Sequence, residues 1–140
     1  MSFVDGEAVK DGYEKVRRDD KKETWMLLKY EEKQIVLCGT GIGYDEFLEQ
    51  LGDDDRAYGY IRVETGDEMS KRAKFVFVTW IGPNVGALNR AKVSTDKGSV
   101  KRIISDFAIE VLADEKAELK FDSIRSKVIA AGGANYGTGK

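Results

Sequence analysis

Residues Ser70–Arg102 read SKRAKFVFVTWIGPNVGALNRAKVSTDKGSVKR, and at their heart lies the run Phe75-Val76-Phe77-Val78-Thr79-Trp80-Ile81. The run is rich in β-branched and aromatic residues and lacks polar/apolar alternation, which predicts a strand covered on both faces, in the middle of a sheet. The basic residues Lys71, Arg72 and Lys74 lead into it, Gly82-Pro83-Asn84 turns the chain, and Arg90, Lys92, Lys97, Lys101 and Arg102 follow. From Lys71 to Arg102 eight Lys/Arg stand against the single acid Asp96, a local charge of +7. The remainder holds 15 basic and 24 acidic residues, so the overall charge of −2 conceals a sharp division. The basic groups hang from the most rigid part of the predicted fold.

A chain of 140 residues fits one domain, and a domain of that size buries roughly two-thirds of its surface. The 41% hydrophobic and 34% charged content describes a globular protein. Its longest apolar run falls far short of the ~20 residues that span a bilayer, so no transmembrane segment is expected. The start, Met1-Ser2-Phe3-Val4-Asp5-Gly6-Glu7, lacks the positive flank and apolar core of a secretion signal. One cysteine, Cys38, permits no internal disulfide and suits a reducing compartment, so a cytoplasmic location is expected. Cys38 itself reads as a small core residue. The absence of histidine removes the residue best suited to proton transfer near neutral pH and the commonest metal ligand. With no acid, base, nucleophile or metal constellation, the chain is read as a non-enzyme without a cofactor. A single basic stretch in an acidic remainder argues against nucleic-acid binding.

Asp5 is placed to cap a first helix, whose Val9, Tyr13 and Val16 share one face. Arg17-Arg18-Asp19-Asp20-Lys21-Lys22 reads as a solvated turn. Trp25–Tyr30 and Gln34–Cys38, separated by Glu31-Glu32-Lys33, predict an antiparallel hairpin. Gly39-Thr40-Gly41-Ile42-Gly43 then leads to a short helix carrying Tyr44, Phe47, Leu48 and Leu51. A dinucleotide loop would need glycine where Tyr44 stands, so these glycines are read as a flexible link. Asp53-Asp54-Asp55 lacks the spread of oxygens of a calcium loop and is read as a solvated charge run.

From Arg56 the alternation is clean, with Ala57, Gly59, Ile61 and Val63 on one side and Tyr58, Tyr60, Arg62 and Glu64 on the other. Pro83 suits the first turn of a helix. The segment beyond it is either one long helix bent near Gly98 or two helices with Thr95 or Asp96 capping the second; one bent helix is the reading adopted. Val100, Ile103, Ile104 and Phe107 would form its apolar stripe. Ala108–Ala113 reads as a strand parallel to its neighbour, since a helical crossover precedes it. A last helix is predicted from about Glu118 to Ala131, with Phe121, Ile124 and Val128 inward and Gly132-Gly133 ending it. Residues 1–133 then form one α/β (α+β) domain, a mixed five- to six-stranded sheet sandwiched between helices, and 134–140 a flexible tail.

Several of these segments resemble the coactosin branch of the actin-depolymerising-factor homology (ADF-H, cofilin-like) family. They are Lys71-Arg72-Ala73-Lys74-Phe75, Thr79-Trp80-Ile81-Gly82, Asn89-Arg90-Ala91-Lys92, Thr95-Asp96-Lys97 and Ala131-Gly132-Gly133-Ala134-Asn135-Tyr136. The likeness extends from about Asp5 to Tyr136. It implies a cytoskeletal, non-catalytic, monomeric module that binds the side of filamentous actin, neither severing it nor holding monomers strongly, and hinders cappers. It further implies that Lys74, with Lys71 and Arg72 beside it and Arg90 and Lys92 on the long helix, carries the actin contact. Two departures from cofilins accompany the likeness. Ser2 is followed at once by Phe3 and Val4, without a counterpart of their switchable serine, and the Thr65–Ser70 loop is too short for a projecting hairpin. An alternative use of the same basic patch is contact with anionic, phosphoinositide-type lipid head groups.

Overall fold

The computed structural model describes residues 3–66 and 71–139, with side chains of the last helix described to residue 132. The order is β1 (Phe3–Val4), α1 (Gly6–Arg17), β2 (Trp25–Glu31), β3 (Gln34–Gly41), α2 (Tyr44–Glu49), β4 (Arg56–Thr65), β5 (Arg72–Ile81), α3 (Ala87–Ile103), β6 (Ile109–Ala113) and α4 (Phe121–Gly139). A 3-10 turn, Lys116–Leu119, precedes α4. The strands make one sheet in the order β1-β3-β2-β4-β5-β6. The β1/β3 and β5/β6 pairs are parallel and the rest antiparallel. The architecture expected from the sequence is therefore present, with the two-residue β1 added at one edge.

Two core layers flank the sheet, and the period-2 pattern of β4 and β5 supplies both. Ala57, Ile61, Val63, Val76, Val78 and Trp80 pack toward α2 and α4 with Phe47, Leu51, Ile124 and Val128. Tyr58, Tyr60, Phe77 and Ile81 pack toward α1 and α3 with Val9, Tyr13, Val16, Val93 and Val100. The apolar run of β5 is paired on both edges, but β2 and β4 occupy the middle of the sheet and β5 is next to last. Apolar residues on both faces report helices above and below; they do not report position in the strand order.

Buried within that run, the Thr79 hydroxyl is the one fully buried side-chain polar atom among the described residues without a hydrogen-bond partner. Leaving such a group unsatisfied costs about 1–3 kcal/mol. Thr79→Val is therefore expected to raise stability by about 1 kcal/mol in urea denaturation; a loss of stability would show that the hydroxyl is satisfied in solution.

Several local expectations are corrected. Pro83 lies in a turn, not a helix: Val85 N–H donates to the Gly82 carbonyl at 3.0 Å, and Pro83 takes the second turn position, where its fixed φ fits. The helix begins at Ala87 and runs without a second cap through Gly98 to Ile103. Phe107 lies beyond its end but stacks on Phe77 at 5.5 Å. Asp5 occupies the N-cap position of α1 without a side-chain bond; its carbonyl accepts from Val9 N–H at 3.0 Å.

Strand β3 extends through Gly41, absorbing much of the expected glycine link. Cys38 is exposed rather than core, because it alternates with the inward Ile35 and Leu37. Glu118 belongs to a capping box with Glu115, so the 3-10 turn takes residues expected in the last helix. Phe121 is 36% exposed, while Ile124 and Val128 are buried. The last helix continues past Gly132-Gly133 to Gly139. Glycine in a helix costs only about 1 kcal/mol relative to alanine, and among described residues the left-handed glycine is Gly66. The expectations about Ser2 and about the loop at 67–70 lie outside the described residues.

Candidate functional site

The alternation of β5 decides where its basic residues go. Val76, Val78 and Trp80 face α2 and α4, so Arg72 and Lys74 fall on that same face, opposite Thr65 and Val63 of β4. Strand β6 begins only opposite Val76, so Lys74 lies just past the end of its cover. Lys74 is half-buried, an arrangement in which an apolar stem lies on the sheet and the ammonium reaches water. Among the described residues neither Lys71 nor Lys74 has an ion pair. Arg125 of α4 reaches the same end of the sheet, its Nε donating to the Glu64 carbonyl at 3.4 Å. Sequence reading missed Arg125; its only signal is its position next to the inward Ile124.

Lys71 belongs to the other face. It lines a hollow of about 650 Å³ with Phe75, Arg17, Lys21, Lys22 and Arg62. Arg62 is held there by the carbonyls of Val16 (3.1 Å) and Arg17 (3.2 Å) and by the Asp19 carboxylate.

Arg90 and Lys92 also lie across the sheet from Lys74, since α3 packs on that side through Val93 and Val100. The Arg90 guanidinium donates to the carbonyls of Gly82 (3.3 Å) and Val85 (3.4 Å). It thereby sits beside the turn that follows β5, about 25 Å along the strand from Lys74 at the usual rise per residue. Lys92 is exposed and, with Leu88, Tyr30, Arg56 and Asp96, borders a hollow of about 350 Å³. Leu88, in the first turn of α3, is 72% exposed.

The +7 block is thus not one patch. Two of its members share one internal carboxylate, which offsets one of their two charges: Lys97 Nζ lies 3.0 Å from the Glu110 carboxylate, and Lys101 reaches the other oxygen. Burial pushes the Glu110 carboxyl up, but the Lys101 and Lys97 ammonium groups outweigh it and hold it below its ordinary value. The other cations of the block divide into Lys74 and Arg72 at one end and face of the sheet, where Arg125 joins them, Arg90 and Lys92 beside Leu88 at the other, Lys71 beside α1, and Arg102 bordering Lys10 and Glu14 of α1. Strand alternation makes the division, because a crossover helix covers only one face.

The chain matches a family described as cofilin/tropomyosin-type actin-binding protein over residues 2–129. It is 44% identical over 133 residues to the human coactosin-like protein, covering 95% of this chain and 94% of that one. A crystal structure of the human coactosin-like protein superposes with a TM-score of 0.89 at 40% identity, covering 93% of this chain and 99% of the other. The solution structure of mouse coactosin, described as an actin filament binding protein, gives a TM-score of 0.80 at 41% identity and covers 99% of this chain and 98% of the other. The coactosin likeness read from the motifs therefore holds along nearly the whole chain, in sequence and in fold. This chain belongs to the cofilin/tropomyosin-type actin-binding protein family.

Proposed function

We propose that this chain binds the side of filamentous actin, contacts it through Lys74 with Arg72 and Lys71 nearby and through Arg90 and Lys92, and neither severs filaments nor holds monomers strongly. The observation that carries the reading is the pair of cationic groups set about 25 Å apart on opposite faces of a rigid sheet. A polymer of identical acidic subunits meets both groups at once, each on a different subunit, and two linked contacts multiply in affinity. A lone monomer meets one. The similarity to mouse coactosin, whose solution structure is described as that of an actin filament binding protein, supports the same partner. Leu88 supplies an exposed apolar anchor beside Arg90 and Lys92, which exposed charges alone do not provide. Occupying the filament side would hinder cappers, and the partner places the protein in the cytoplasmic actin cytoskeleton.

Charge-steered binding of this kind weakens as counter-ions screen it. Co-sedimentation with filaments is expected to lose several-fold in affinity between about 50 and about 200 mM ionic strength, over which the screening length shrinks from roughly 14 to roughly 7 Å. A parallel monomer-binding assay should give much weaker binding. An affinity indifferent to salt, or monomer binding as tight as filament binding, would overturn the reading.

A further inference from the structure

The block's one acid is the most unusual residue of α3. Asp96 is 6% exposed in the middle of the helix, among Val93 and Val100. A buried carboxylate is costly unless it is hydrogen-bonded. Here the Tyr30 hydroxyl donates to Asp96 Oδ2 at 2.7 Å. One turn earlier on the same helix, the Tyr58 hydroxyl donates to the Val93 carbonyl at 2.7 Å. The two tyrosine oxygens lie 3.2 Å apart, and the Arg56 guanidinium covers the Tyr30 ring at 3.9 Å. Strands β2 and β4 therefore grip α3 at two points through adjacent tyrosines.

The grip matters because the apolar hold of α3 lies toward its C-terminal half: Val93 and Val100 are buried, Ile103 packs partly buried against the same layer, and Ile104 is buried just beyond the helix. In the 87–95 half that carries Leu88, Arg90 and Lys92, Val93 is the only buried side chain, and a one-residue slip turns every side chain of a helix by about 100°. We propose that Asp96 is a positioning residue: clamped by Tyr30, it fixes the rotation and register of α3 so that Leu88, Arg90 and Lys92 face the partner. The inference rests on the actin reading for its partner but not for its mechanical content. Burial holds the Tyr30 phenol protonated by raising its pKa, so the donor persists at working pH.

The test uses the full chain with Tyr30→Phe, Asp96→Ala and Asp96→Asn, comparing amide exchange across 87–95 and β4 with filament co-sedimentation. Tyr30→Phe keeps the ring and removes the hydroxyl, and with it both the bond to Asp96 and the contact with the Tyr58 oxygen. It is expected to speed exchange in 87–95 by about tenfold, the equivalent of one such hydrogen bond, with β4 amides unchanged. It should also weaken filament binding about fivefold, and Asp96→Ala at least as much. Asp96→Asn, whose side-chain carbonyl still accepts from Tyr30, should stay within about twofold of wild type. Unaltered exchange in 87–95, a uniform rise across the sheet, or equal losses in Asp96→Asn and Asp96→Ala would overturn the proposal. If wild type itself fails to bind filaments, the actin reading falls while the exchange comparison still decides the clamp.

Discussion

Replacing Lys74 by alanine is expected to lower filament affinity by about tenfold to a hundredfold, the worth of one charge-assisted hydrogen bond of about 1.5–3 kcal/mol. Lys74 stands near the start of β5, ahead of the point where β6 begins to pair, and among the described residues it forms no ion pair. Its removal should therefore leave the thermal midpoint nearly unchanged, separating binding from folding. Lys97→Ala is the contrast, because Lys97 already pairs with Glu110. Filament affinity should stay near wild type, with a stability loss below about 1 kcal/mol, as for partly exposed pairs. Co-sedimentation over a concentration series, with circular dichroism melts, reads both quantities. Equal affinities for wild type and Lys74→Ala would remove Lys74 from the contact.

The largest expected effect on folding comes from Gly82→Ala. A Cβ on Gly82 would lie 2.1 Å from the Asp53 carbonyl oxygen and 2.7 Å from that of Gly52. Both are backbone atoms, so no side chain can swing aside. The same turn is tied to the 52–55 segment by Gly82 N–H to Asp55 O at 2.8 Å and Asn84 N–H to Asp53 O at 2.9 Å. The Trp80 indole donates to Gly52 O at 2.8 Å beside them. Admitting one methyl must break or stretch this set, at about 3 kcal/mol, the upper end for overpacking. In a chain of this length that loss corresponds to a fall of about 10 °C in the thermal midpoint. Because the Gly82 carbonyl also accepts from Arg90, filament affinity should fall as well. A melt within about 2 °C of wild type would show that the 52–55 segment yields easily.

How the chain encodes these features differs from one to the next. The clean alternation from Arg56 to Thr65 supplies inward residues to both core layers, and that pattern is legible one residue at a time. So is the hairpin of β2 and β3, and so is the parallel β6, since a parallel neighbour of β5 needs a crossover of a dozen or more residues and the helical segment after β5 supplies one. The concentration of positive charge between Lys71 and Arg102 and the family likeness were equally plain, since both are properties of order and composition. Pro83 misled because proline fits both a first helical turn and the second position of a β-turn, and only the bond from Val85 to Gly82 distinguishes them. Cys38 misled because a strand can have one open face, which its own residues do not declare.

The sequence by itself determined the periodicities, and with them the elements, the fold and the family, because these are written in the order of residues two to four positions apart. Only the tertiary structure decided which cations act together. It sent Lys74 and Arg90 to opposite faces and brought Arg125 beside the first of them. It also tied Lys97 and Lys101 to Glu110 and enclosed Asp96 against Tyr30. Each of those outcomes depends on strand order, register and helix placement, which are set by contacts between residues far apart in the chain, where no local pattern reaches.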